Sequence, residues 1–194
     1  MTASVTESWA RIETWLARHA PRAFAALEPP AEAAAVAAAE EAVGQPFPES
    51  LRQSLLRHNG SGHQALVPPF WMLLDARNIV DSRQRRMRIY GDEPADREDG
   101  DPESEYGPWW HAEWIPFAAD GAGDYLVVDQ RRHGRRGRIG DADHETGCSF
   151  APSPVWASLP ALLDATATAL ETGEPMEGYR RVAVDETELE WEDA

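Results

Sequence analysis

Apolar residues in the first third of the chain recur at helical spacing. Trp9, Ile12, Trp15 and Leu16 follow Ser4-Val-Thr-Glu7, which has the form of a capping box, so a first helix is predicted to about Arg18, with Pro21 marking its end. Pro29-Pro30 opens a second helix, an alanine-rich body with Val36, Glu40 and Val43 that stops at Gly44. Pro48 opens a third, carrying Leu51, Leu55 and Leu56, which Asn59-Gly60 is expected to terminate with a left-handed residue. Three helices therefore come first.

The period then shortens. Ala65-Leu-Val and Trp71-Met-Leu-Leu are short apolar runs on either side of Pro68-Pro69, and Asp75 suits the N-cap of a helix holding Ile79, Val80 and Met87. After Tyr90 come Pro94, Gly100, Pro102 and Pro108 with almost nothing apolar, the composition of an exposed loop. Three runs then read as sequential antiparallel strands: Trp114-Ile-Pro-Phe117, Tyr125-Leu-Val-Val-Asp129 after the turn Asp120-Gly-Ala-Gly-Asp124, and Gly137-Arg-Ile139 after a His133-Gly134 turn. Ser158, Pro160 and the spacing of Leu159, Leu162, Leu163, Ala167 and Leu170 mark a last helix ending at Gly173. Tyr179 to Val184 is a candidate final strand. The pattern is that of an α+β fold, with N-terminal helices and a C-terminal helix packed on one face of a mainly antiparallel sheet. A length of 194 residues suits one domain, read as 1–184 with an acidic loop at 92–105, followed by an acidic C-terminal tail at 185–194.

Charge sharpens this picture. The formal net of −16 comes from 34 acidic and 18 basic residues, and it is concentrated. Residues 92–105 carry −7 and residues 185–194 carry −6. Every basic residue is arginine, with clusters at Arg83, Arg85, Arg86 and Arg88 and from Arg131 to Arg138. A negative field repels nucleic-acid backbones and anionic membranes and favours a basic partner. Cys148 is the lone cysteine, so neither an intrachain disulfide nor a paired-cysteine metal site can be written, and a cytoplasmic setting is the simplest expectation. Met1 to Glu7 lacks the pattern of a secretory signal, and the alanine-rich stretch from Ala31 to Gly44 is too short and too charged to span a bilayer.

The densest segment is Trp109-Trp110-His111-Ala-Glu-Trp114-Ile-Pro-Phe117-Ala-Ala-Asp120-Gly-Ala-Gly123-Asp124-Tyr-Leu126-Val-Val-Asp129. It resembles the SUKH superfamily, the Smi/Knr-like cell-wall assembly regulator group, in its aromatic segment, its tryptophan before an apolar strand and its Gly-Asp turn. Leu27-Glu-Pro-Pro-Ala, Glu40-Glu-Ala-Val-Gly44, Phe47-Pro48 and His58-Asn59-Gly60 resemble that family's helical half. The resemblance makes Trp114, Gly123, Asp124 and Asp129 structural motif residues. It implies a protein-binding module without an active site: in bacteria an immunity protein that blocks a toxin, often a nuclease, and in fungi a regulator of cell-wall synthesis. The long acidic segment and the tail depart from a minimal member.

Candidate chemistry adds little to that. Asp120, Asp124 and Asp129 offer oxygens to a hard cation, but their spacing departs from the calcium-loop pattern and turn chemistry alone accounts for them. Asp141, Asp143, His144 and Glu145 read as a solvated hairpin tip. A metal-dependent hydrolase would draw on Asp124, Asp129 and His144, yet no metal or cofactor is expected. His111 and His58 have no nucleophile motif beside them, so no catalytic residue is assigned. Trp114, leading Ile115 and Phe117, reads as core. The expected partner-binding set is Asp96, Glu98, Asp99, Asp101 and Glu103 for charge, with Trp109 and Trp110 as aromatic anchors.

Overall fold

Four helices come first, one more than the apolar spacing predicts. A computed structural model describes residues 2–90, 105–132, 135–150, 156–185 and 187–194. Helix α1 (Val5–His19) begins at Ser4, whose hydroxyl accepts the Glu7 amide while the Glu7 carboxylate accepts the Ser4 amide, the reciprocal pair of a capping box. Pro21 does more than mark the end of α1: it occupies the first turn of a short helix, α2 (Pro21–Ala26), where its missing N–H costs nothing. Helix α3 (Ala33–Val43) ends at Gly44, φ 78°.

Helix α4 (Glu49–Arg57) stops earlier than Asn59-Gly60, at an extended His58. The His58 ring meets the Glu28 carbonyl at 2.9 Å and the Glu13 carboxylate at 2.9 Å, which draws the chain out of the helix. Asn59 instead accepts the amide of Ala76 and caps the next helix, α5 (Ala76–Tyr90), beside Asp75, which accepts the amide of Asn78.

Six strands follow one another across one antiparallel sheet in chain order: β1 (Ala65–Val67), β2 (Trp71–Leu73), β3 (Trp114–Ala119), β4 (Tyr125–Asp129), β5 (Ile139–Asp143) and β6 (Gly147–Ser149). The third predicted strand begins where Gly137-Arg-Ile139 was expected to end, and β6 was not foreseen. Helix α6 (Leu159–Thr172) starts at Ser158 and ends at Gly173, φ 75°. A separate hairpin, β7 (Tyr179–Val184) with β8 (Glu188–Asp193), closes the chain.

The acidic tail is therefore a strand. Its residues alternate, Leu189 and Trp191 facing the protein and Glu188, Glu190 and Glu192 the other way, as the two-residue period of a strand requires.

Side chains alternate across the large sheet too, and its two faces have different cores. One carries Ile115, Phe117, Leu126, Val128 and Ile139 in a large continuous apolar core with α1, α4 and α6, which also holds Trp9 and Trp15. The other carries Trp114, Tyr125, Val127, Ala142, Cys148 and Phe150, with Trp110 from the preceding loop and Met87 and Tyr90 from the end of α5. Among the described residues no helix is long and apolar enough to cross a membrane.

Candidate functional site

The motif residues Trp114, Gly123, Asp124 and Asp129 all sit on or beside β3 and β4, and each has a packing role. Asp129 ends β4, fully buried, and accepts from Arg131 Nη2 at 2.8 Å and from Arg138 Nε at 3.3 Å. Both arginines are themselves buried. Their guanidinium groups lie over aromatic rings, Arg131 5.5 Å from the centre of Trp114 and Arg138 3.8 Å from that of Phe150. Burial pulls the pKa of Arg138 down while Asp129 pulls it back up. Two of the clustered arginines are thus structural cations, desolvated together with one carboxylate.

Gly123 and Asp124 fasten the other end of β4. The carbonyl of Gly123 accepts from Arg86, whose guanidinium also lies over Tyr125 and Tyr90. Gly123 has φ +135°, and the His144 ring occupies the space a Cβ would approach, 3.5 Å from Nδ1. The Asp124 carboxylate accepts the His144 amide at 2.8 Å and meets Nδ1 at 2.6 Å, which raises the His144 pKa. The pair ties the start of β4 to the β5–β6 tip.

Around that tip, Asp124, Asp143 and His144 bring ligand atoms within 4.8 Å of one another. The same atoms already serve the turn: Asp143 Oδ1 accepts the amides of Glu145 and Thr146, which holds its pKa low. Asp129 does not join them, since it lies at the far end of β4 and five residues on from Asp124, on the opposite face. The structure does not assemble Asp124, Asp129 and His144 into one site.

Asp141, expected in a solvated tip, lies within β5 and is half-buried, with its Oδ1 buried and unpartnered. Burial first, and then Asp124, Asp143 and Asp120, push its carboxyl up to about 6. Cys148 is buried in the aromatic core, and burial raises its thiol pKa well above the ordinary value, the opposite of what a nucleophile needs.

Of the expected partner-binding residues, Asp96, Glu98, Asp99, Asp101 and Glu103 lie outside the described residues. Trp110 is only 8% exposed and packs edge-on against Trp114 and Tyr125, so it belongs to the core. Trp109 is half-buried and stacks on Tyr90 with rings 6.2 Å apart.

Two acidic features were missed in the sequence. One is the outward row Glu188, Glu190 and Glu192 on β8, for which the alternation Glu-Leu-Glu-Trp-Glu was the available signal. The other is a groove beside α6 bordered by Asp164, Glu174 and Glu177, for which there was none.

The fold and these contacts define a small α+β domain whose motif residues hold strands together. The chain matches the SMI1 / KNR4 family (SUKH-1) over residues 30–165 and belongs to that family. The match takes in α3 to α5, the six-stranded sheet and half of α6, and leaves out α1, α2 and the β7–β8 hairpin. A search among curated proteins finds no match for the chain.

Proposed function

We propose that this SUKH-1 domain acts by binding a basic protein, as an immunity protein that neutralises a cognate toxin, a nuclease with a positive cleft being the chemistry its charge suits. One observation supports this most. Among the described residues exposed carboxylates outnumber exposed arginines, because several arginines are buried or drawn into ion pairs. Arg131 and Arg138 are buried on Asp129, Arg86 is buried among aromatic rings, and Arg11, Arg52 and Arg57 are held by Asp164, Glu40 and Glu13. Glu174, Glu177, Glu190 and Glu192 stay exposed. The fixed field at the surface is therefore negative, and carboxylates in a nuclease cleft would stand where phosphates bind.

Asp96, Glu98, Asp99, Asp101 and Glu103 extend the same field in sequence and belong to the proposed contact set, with Trp109 as the aromatic anchor; Trp110 is withdrawn from it. Affinity capture from the native host identifies the partner, and stopped-flow association with that partner tests the reading. Association is expected to slow steeply with salt, and neutralising those five acids should slow it about tenfold at low salt. Unchanged low-salt rates, or a captured partner whose toxicity the chain does not suppress, would overturn it. Capture of a cell-wall synthesis enzyme instead would mark a regulatory role.

A further inference from the structure

Asn59-Gly60 joins the helical half of the chain to the sheet, and it is held from several sides. The Asn59 amide donates to the Pro29 carbonyl at 3.0 Å, and its side-chain Oδ1 accepts from the Ala76 amide at 3.0 Å. The Gly60 carbonyl accepts from the Glu28 amide at 3.3 Å, and the Ser61 amide donates to the Leu73 carbonyl at 3.0 Å. Gly60 is buried with φ +91°, and a Cβ on it would stand 2.7 Å from the Leu73 carbonyl oxygen and 2.9 Å from the Asp75 nitrogen. Consecutive residues are thus tied to segments on three sides, with little slack between the ties.

An asparagine followed by glycine can react with its own backbone. The Gly60 nitrogen gives up its proton to base and attacks Asn59 Cγ. The N–Cγ bond forms, the bond from Cγ to the side-chain nitrogen breaks, and that nitrogen leaves as ammonia. Water then opens the five-membered imide at either carbonyl, giving aspartate or isoaspartate; on balance one water enters and one ammonia leaves. Glycine eases the attack because no Cβ shields its nitrogen and its dihedrals are free in an unfolded chain. The chain's other asparagine, Asn78, precedes the β-branched Ile79 inside α5, where this route is obstructed.

Folding opposes each step at Asn59. The bond from Ala76 fixes the side-chain amide, the ties on either side fix the dihedrals between the reacting atoms, and burial of Gly60 keeps base from its N–H. We infer that Asn59-Gly60 is a hydrolysis site that the fold holds shut and unfolding opens, and that its isoaspartate product cannot rebuild the native turn. Aspartate at position 59 would keep an oxygen for the Ala76 amide at the start of α5, where negative charge is favoured. Isoaspartate routes the main chain through Cβ and Cγ, which adds an atom between the ties at Pro29 and Glu28. The backbone of Leu73 and Asp75 leaves Gly60 no room to absorb it. Each unfolding event therefore exposes the chain to permanent loss, whatever partner it binds.

The test keeps the full chain in mildly alkaline buffer across a series of urea concentrations. Peptide mass mapping follows amide-to-acid conversion at Asn59, and tryptophan fluorescence follows the fraction unfolded. Conversion is expected to be about tenfold or more faster in unfolding urea than in native buffer and to rise with the fraction unfolded, because modification of an open form tracks its population. After urea is removed, refolded chains should carry asparagine or aspartate at position 59, while isoaspartate collects in the chains that stay unfolded. Asn59→Asp separates the new charge from the added backbone atom and should refold as the wild type does. Equal conversion in native and unfolding buffer, or isoaspartate recovered in the refolded chains at its starting share, would overturn the proposal. An Asn59→Asp chain that fails to refold would place the loss on the charge and remove the role given to the added atom.

Discussion

The two faces of the six-stranded sheet solve the burial problem differently. Toward α1, α4 and α6 the core is continuous and apolar, mixing aliphatic side chains with Trp9, Trp15 and Phe117, and its stability comes from area removed from water. On the other face the core is a cluster of Trp110, Trp114, Tyr125 and Phe150 interleaved with Arg86, Arg131 and Arg138, and it holds only if the charges are matched. The first tolerates volume-conserving exchange. The second is a set of interlocked pairs in which one residue serves several others, so the motif around β3 and β4 reads as a requirement of packing.

That contrast is broken most directly at Asp129. Asp129→Ala leaves two buried guanidinium groups without their carboxylate and is expected to cost about 3–5 kcal/mol. A conservative change on the helical face, Leu162→Met, should cost less than about 1.5 kcal/mol. Urea unfolding of the two variants measures both, and comparable losses would erase the distinction between the faces.

Gly140 gives a smaller effect. The Phe150 ring occupies the space where its Cβ would lie, so Gly140→Ala forces the ring off Arg138 and should cost about 1–3 kcal/mol. Thermal melts of the variant, alone and with Phe150→Leu, show whether the ring is the cause: the second change should recover part of the loss.

The third test uses pH. Asp141 has its folded pKa raised to about 6 from 3.8, so it binds a proton more tightly folded than unfolded, and stability falls as pH rises through that interval. His144 is also raised, by Asp124, and its contribution is likewise lost as pH rises through its folded pKa. Both slopes have the same sign. Stability should therefore decline from roughly pH 4 to 6 through Asp141 and again above pH 6.5 through His144, and Asp141→Asn should flatten the first decline and stabilise the protein at neutral pH by on the order of 1 kcal/mol. Denaturant midpoints across that range decide it, and a variant with the wild-type slope would remove Asp141 as the cause.

Helix ends were legible in the sequence because their chemistry is local. Ser4 with Glu7, Gly44, Asp75, Ser158 and Gly173 act within a turn of themselves. His58 was not, since what ends α4 is Glu13 and Glu28, far away in the chain. The charged clusters were the least legible. In sequence Arg131 and Arg138 are only members of a run of charge, and only the pairing of β4 with the start of β5 brings them onto Asp129. Likewise, acid count concealed the alternation in residues 188–193 that makes them a strand. Of the expected contact set, sequence read Trp109 and Trp110 alike, and packing against Tyr125 separates them.

The β7–β8 hairpin has one more consequence. Strand β1 is the outer strand of the large sheet, an open template for another chain. The hairpin stands beside it without extending the ladder, joined through the Trp191 indole to the Ala65 carbonyl and the Gln64 amide to the Leu189 carbonyl. On the opposite border, Tyr106 pairs with Ser149 and Gly107 donates to Cys148. Both borders are thus shielded, one of them by a segment whose far side is a row of glutamates. A covered β1 offers no free edge for another chain to pair with, and removing residues 179–194 is expected to promote self-association, which sedimentation of the trimmed and full chains would show.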